Sequence, residues 1–301
     1  TVLAPLLMGF DANLAILMAG LSTVLFFFLT GGRVPSYLGS SFAFIAPVIT
    51  ATAYTGSGFN GNLSVALGGI FVCGVFYAMV GLLVMKTGVG WIEKLMPPVV
   101  TGAIVMIIGL NLAPVTIKGV SGNQFDSWVA LMTVLSISAV AVFSRGMLRR
   151  LLLLIGLVLA YMAYFVLTNV LGYGKPIDFT PVTQAAWVGL PNFYHPTFDI
   201  NAMILIAPVA FILIAENLGH IKAVEAMTGQ AVSPYMGRAF FADGLCTAMS
   251  SSMGGTGVTT YAENIGVMAV TKVYSTTVFV VAGLIAVLLG LSPKFGAIIH
   301  T

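Results

Sequence analysis

The sequence predicts an all-α polytopic membrane protein in which two spans are interrupted by extended backbone. Three observations predict it. The 301 residues are 59% hydrophobic and 7% charged, with a mean hydropathy of +1.05, a composition no soluble domain of this size shows. Apolar segments recur with short connections in which Gly, Pro and Asn cluster. Two stretches in different halves also share one pattern of hydroxyl, hydroxyl, aromatic and alanine: Ser40-Ser41-Phe42-Ala43 and Thr259-Thr260-Tyr261-Ala262.

In chain order the expected segments are a stub at 1–9, then 14–30, 37–53, 64–85, 97–114, 127–144, 151–172, 202–223, 237–252, 257–273 and 275–292. The stub is too short to cross a bilayer. The third and tenth segments begin with glycine, hydroxyl and β-branched residues, which disfavour helix and suit extended backbone, and then turn apolar and helical. Pro97 and Pro98 suit the first turn of a helix. Gly31-Gly32-Arg33-Val34-Pro35 and Thr55-Gly56-Ser57-Gly58 read as turns. The longest connection, about Gly172 to Asn201, carries Pro176, Pro181, Pro191 and Pro196 and is expected to lie on the membrane surface. Cys73 and Cys246 fall in separate apolar segments and read as small core residues, not as a disulfide or a metal pair. The chain starts at Thr1 inside an apolar run and ends just past another, so it is expected to be a fragment cut at both ends.

Charge sets the orientation. Counting the stub as the first segment, connections after even-numbered segments carry Arg33, Lys86, Lys94, Arg145, Arg149, Arg150, Lys222, Arg238 and Lys272. The opposite side carries Lys118, Lys175 and Lys294 and collects Asp11, Asp126, Asp178 and Asp199. The basic side is expected to be cytoplasmic. Trp91, Trp128 and Trp187 fall near segment ends, where interfacial aromatics belong. The net charge of +3 belongs to these connections and is no sign of nucleic-acid binding.

Glu216, Asp243 and Glu263 remain inside the apolar segments. An intramembrane carboxylate is costly and needs a partner, a proton or a ligand. Glu216 and His220 stand at i and i+4 on one helix face, within mutual reach. They form either a structural pair holding two helices or a pair that shares a proton. Glu263-Asn264-Ile265-Gly266 repeats the Glu-Asn-x-Gly of Glu216 to Gly219. Two carboxylates in one cavity suit the two N–H groups of a planar heterocycle, and N–H groups freed at broken segments suit its carbonyls. That set fits a uracil-like ring. Asp243 either caps or braces the broken segment or relays a proton. A metal site lacks ligands, because His195 and His300 lie in a loop and at the chain end. No His-Glu-x-x-His, Gly-x-Ser-x-Gly or Walker loop occurs, so neither an enzyme nor ATP-driven transport has a motif here, and no cofactor is implied.

The stretches Tyr37 to Pro47, Ala215 to His220 and Thr259 to Thr271 resemble the nucleobase–ascorbate transporter family, the xanthine/uracil permeases. The last of them fits the family pattern Gln/Glu-Asn-x-Gly-x-x-x-x-Thr, here Glu263, Asn264, Gly266 and Thr271. The resemblance implies an inverted-repeat fold of seven plus seven spans, of which this chain would hold about ten and a stub, with short strands in the two broken spans. It implies core-domain spans over 1–96, gate-domain spans over 97–172 and the second repeat's core spans over 173–301. The family's early polar motif and much of its second gate half would lie outside the chain. By resemblance, Glu216 and Glu263 bind the ring, His220 assists, Phe42 and Ala262 offer backbone N–H groups, and Tyr261 lines the site. Glu216, His220 and Asp243 would carry the coupling proton, and Ser41 and Asn264 would be structural. The implied protein is a secondary transporter of the bacterial inner (plasma) membrane, often a homodimer, importing uracil or a related pyrimidine by proton symport. The alternatives are a passive uracil facilitator and a xanthine or purine permease. An anion exchanger of the same architecture is disfavoured by acids at both contact points.

Overall fold

A computed structural model describes residues 1–56, 58–144 and 151–300. Arg145, Arg149 and Arg150, counted above on the basic side, lie outside the described residues, as does Ser57 of the second glycine turn. The chain begins with α1 (Leu3–Met8) and α2 (Ala12–Leu29), the latter capped by the Asp11 carboxylate, which accepts from the Asn13 and Leu14 N–H groups. Then come β1 (Leu38–Ser40), a single 3-10 turn (Phe42–Phe44) and α3 (Ile45–Thr52). The long α4 (Leu63–Thr87) and short α5 (Gly90–Leu95) lead to α6 (Pro98–Val120), which starts at the expected Pro-Pro step. After α7 (Gln124–Phe143), α8 (Leu152–Phe165) ends in a π-helical turn over Val166–Val170. The long connection contains one short helix, α9 (Thr180–Gln184). The second half runs α10 (Ile200–Ile206), α11 (Val209–Thr228), α12 (Met236–Ser252), β2 (Val258–Thr260), α13 (Ala262–Thr271), α14 (Thr276–Gly290) and α15 (Pro293–His300).

Both segments expected to start in extended backbone do so: each is a three-residue strand followed by a helix. The two strands pair antiparallel, with Leu38 opposite Thr260, Gly39 opposite Thr259 and Ser40 opposite Val258. Strand pairing satisfies backbone groups that the broken spans would otherwise leave bare inside an apolar protein. Among the described residues four helices are long and apolar enough to cross a membrane, Ala12–Leu29, Leu63–Thr87, Gln124–Phe143 and Ile200–Thr228, the last interrupted at Pro208. Thr276–Gly290 and Pro293–Ile299 form a fifth candidate, bent by 91° at the break.

The chain forms two compact units. One comprises residues 1–108 and 185–300, the other 109–184. In the first, α4 lies along α12 and α2 along α14. Small residues make these approaches possible: a Cβ on Gly74 would meet the Ala248 backbone of α12, and one on Gly244 would meet the Ala78 backbone of α4. Close backbone approach through small residues is how helices pack where the solvent is itself apolar. Cys73 and Cys246 are free, buried members of these helices. In the second unit, α7 packs on α8, with Gly156 against Ile137. The Thr180 hydroxyl and N–H hold the exposed Asp178 carboxyl below the usual carboxylate range.

Candidate functional site

Ser41, Glu216, His220, Asp243, Tyr261 and Asn264 make contacts at or beside the β1–β2 pair, within the first unit, whereas Glu263 is exposed and Gly266 and Thr271 lie further along α13. Each strand feeds a helix start. Ser41 caps the 3-10 turn by accepting from the Ala43 N–H at 3.2 Å, which leaves Phe42 at the first position of that turn. Ala262 opens α13, whose N-terminus has no side-chain cap. Unpaired N–H groups at a helix start carry partial positive charge and are donors in waiting. Tyr261 bridges the strands: its hydroxyl donates to the Ser40 carbonyl at 3.0 Å, and its ring lies 6.4 Å from that of Tyr37. A Cβ on Gly39 would overlap the Tyr261 ring, so only glycine fits beneath it. Asn264 Nδ2 donates to the Tyr37 carbonyl at 3.1 Å and ties the start of α13 to the residue before β1. Gly266 has open space around it, and the Thr271 hydroxyl donates to the Val267 carbonyl in the last turn of α13.

The α11 residues reach the two broken segments separately. Ser41 Oγ donates to Glu216 Oε2 at 3.4 Å. His220 Nδ1 lies 2.9 Å from Thr260 Oγ1. The direct Glu216–His220 pairing that their spacing allows is thus replaced by two contacts, one to each strand region. The physical reason is that the broken segments bring a hydroxyl within hydrogen-bond distance of each side chain. Glu263, in the first turn of α13, is exposed, and its charge acts on Glu216. One turn along α11, a cavity of about 630 Å³ is lined by Leu218 and Gly219 with Thr101, Met96 and the ion pair of Lys222 and Glu93 at 2.7 Å.

Asp243 is fully buried. Its Oδ2 accepts from Asn217 Nδ2 at 2.5 Å and from Thr259 Oγ1 at 3.3 Å. This is the geometry a brace on β2 needs. Asn217 Nδ2 also donates to the hydroxyl of Tyr77 on α4, at 2.9 Å. Asn217 and Tyr77 join the site without having been among its sequence-predicted residues, and Thr260, one of the repeated hydroxyls, supplies the partner of His220. A signal existed for Asn217, which holds the place in Glu-Asn-x-Gly that Asn264 holds in the second copy. None existed for Tyr77, one aromatic among many in an apolar run. Among the described residues no three His, Cys, Asp or Glu side chains gather as metal ligands.

A family model described as "Permease family" (Xan_ur_permease) matches residues 1–301. The chain is 67% identical to RutG of Escherichia coli (strain K12), a protein named as a pyrimidine permease, over 301 residues, covering all of this chain and 68% of RutG. It is 37% identical to a protein named uracil permease from the same strain, covering all of this chain and 69% of that one. A uracil permease of Paenibacillus larvae is 36% identical, with 72% of its length covered. Among solved structures, the transmembrane domain of BicA, a cyanobacterial bicarbonate transporter, matches with a TM-score of 0.58 at 16% identity. The match covers 99% of this chain and 85% of that one, and at such identity the likeness is one of fold. With a family match over its whole length and a fold shared with a membrane transporter, the chain belongs to the xanthine/uracil permease family and is a multi-pass membrane transporter, not an enzyme.

Proposed function

We propose that this permease imports uracil or a closely related pyrimidine across the bacterial inner membrane, coupled to protons. The observation that carries the reading is the pairing of β1 with β2, which brings two helix starts together with Glu216 reaching one and His220 the other. Carboxylates accept from ring N–H groups, and the helix-start N–H groups at Phe42 and Ala262 donate to ring carbonyls. Uracil presents that alternation on a flat, uncharged ring. The names carried by the relatives point to the same substrate class. Coupling is assigned to Glu216, His220 and Asp243, the titratable groups inside the strand-centred network. In this reading residues 1–96 and 173–301 supply the core-domain spans of the two repeats and residues 97–172 the gate-domain spans of the first. The basic connections face the cytoplasm, and the working form is a homodimer.

A competition panel tests the substrate class. Uptake of labelled uracil is measured against unlabelled uracil, thymine, xanthine and ascorbate. Uracil is expected to compete best and ascorbate not at all; strongest competition by xanthine would overturn the assignment. Within that panel, Glu263→Gln exchanges one acceptor for a donor amide. Uracil binding is expected to weaken by about 0.5–1.5 kcal/mol, the net worth of one hydrogen bond, while a purine-type ligand gains. Unchanged uracil affinity in this variant would remove Glu263 from the site.

A further inference from the structure

We propose that Asn217 is a positioning residue whose side-chain amide turns over when Asp243 gains or loses a proton, with the Tyr77 hydroxyl following it. The geometry begins with a closed chain of contacts. It leaves α11 at Asn217, crosses to Asp243 on α12, passes to Thr259 and its neighbour Thr260 on β2, and returns to α11 at His220 one turn later. Tyr77 anchors it to α4. Tyr77, Asn217 and Asp243 are each fully buried, and Thr259 and Thr260 nearly so.

Asn217 is pinned on one side only. Its Nδ2 sits between Tyr77 Oη at 2.9 Å and Asp243 Oδ2 at 2.5 Å, while its Oδ1 is buried without a partner. A half-turn about the last torsion therefore breaks no bond on the Oδ1 side, and it exchanges donor for acceptor at the shared position.

With Asp243 ionised, Nδ2 donates to Oδ2 and to Tyr77 Oη, and the tyrosine O–H points at the Leu213 carbonyl, 3.4 Å away. When a proton arrives on Oδ2, two donors would confront each other, and the amide turns. Oδ1 then accepts from the new Asp243 O–H and from the Tyr77 O–H, which leaves Leu213. Loss of the proton reverses both movements. An apolar residue at 217 would provide for neither form, and an unmet buried partner is what makes such networks selective. The titratable groups that act on Asp243 are Tyr77 on α4, Glu216 on α11 and Cys246 on its own helix; none is a lysine or arginine that would fix its charge. Use of this switch in transport rests on the proton-coupled reading above, but the switch itself does not.

Infrared difference spectroscopy on the purified, lipid-reconstituted protein tests it without a transport assay. Aspartate is carbon-13 labelled, and the carboxylic-acid band that Asp243→Asn abolishes is followed through a pH titration. The expected result is a band whose frequency moves in both Asn217→Leu and Tyr77→Phe, with a titration midpoint shifted by at least one pH unit in Asn217→Leu. An Asp243 band with wild-type frequency and midpoint in both variants overturns the proposal. So does the absence of any such band in the wild type. Should Asn217→Leu fail to fold, Tyr77→Phe decides alone, since it removes one oxygen and one donor to the protonated arrangement. Labelled-uracil uptake is run alongside. A wild type that takes up no uracil defeats the functional reading and leaves the spectroscopic result standing on its own.

Discussion

Glu216→Gln is expected to abolish accumulation of uracil driven by a pH gradient while leaving exchange of uracil down its gradient measurable. The amide keeps the size of the carboxyl and the contact with Ser41 Oγ, so the residue still meets the first broken segment. It cannot take up or release a proton, and it stands permanently in a neutral form. Its bond to Ser41 changes from a charge-assisted to a neutral one, a loss of about 1 kcal/mol, or roughly fivefold in affinity. Coupling, by contrast, is lost. Counterflow and pH-driven uptake are measured side by side and normalised to folded protein. Equal proportional loss of both activities would leave Glu216 with a binding or structural role and no part in coupling.

The second large effect is at Gly39. Gly39→Ala is expected to weaken uracil binding about five- to 150-fold, the equivalent of roughly 1–3 kcal/mol for forcing a methyl into a packed site. The new Cβ overlaps the Tyr261 ring, which can move only by giving up its bond to the Ser40 carbonyl and its packing on Tyr37. Either movement disturbs the strand pair on which both helix starts depend. Gly102→Ala, at a position with open space around it, is the control for adding a methyl to this protein. Equilibrium binding of labelled uracil per folded molecule reads the effect. Wild-type affinity in Gly39→Ala would mean that the strand pair does not set the site.

Much of this architecture was legible because the membrane constrains the chain so tightly. Apolar segments between short polar connections announce helices, and glycine and β-branched residues inside such segments announce breaks, since a lipid-exposed break would leave backbone groups unsatisfied. Ser40-Ser41 and Thr259-Thr260 read as corresponding breaks, and they are parts of the two paired strands and their edges. What the sequence could not display was which polar group meets which. Helical spacing puts His220 within reach of Glu216, yet the hydroxyls of Ser41 and Thr260 arrive from distant parts of the chain and take those positions. The same holds for Tyr77, whose partner lies 140 residues away and whose surroundings in the sequence are those of an ordinary core aromatic. The break at Pro208, which divides α10 from α11, was visible as a proline but lay inside a run read as one continuous span.

In the function proposed above, this permease moves uracil together with protons through the strand-centred network. The most direct measurement is accumulation of labelled uracil in proteoliposomes with an acid exterior, with and without a protonophore. Uptake above the equilibrium level, collapsing when the protonophore is added, is the expected result. Uptake that only equalises uracil across the membrane, and that the protonophore leaves unchanged, would contradict it.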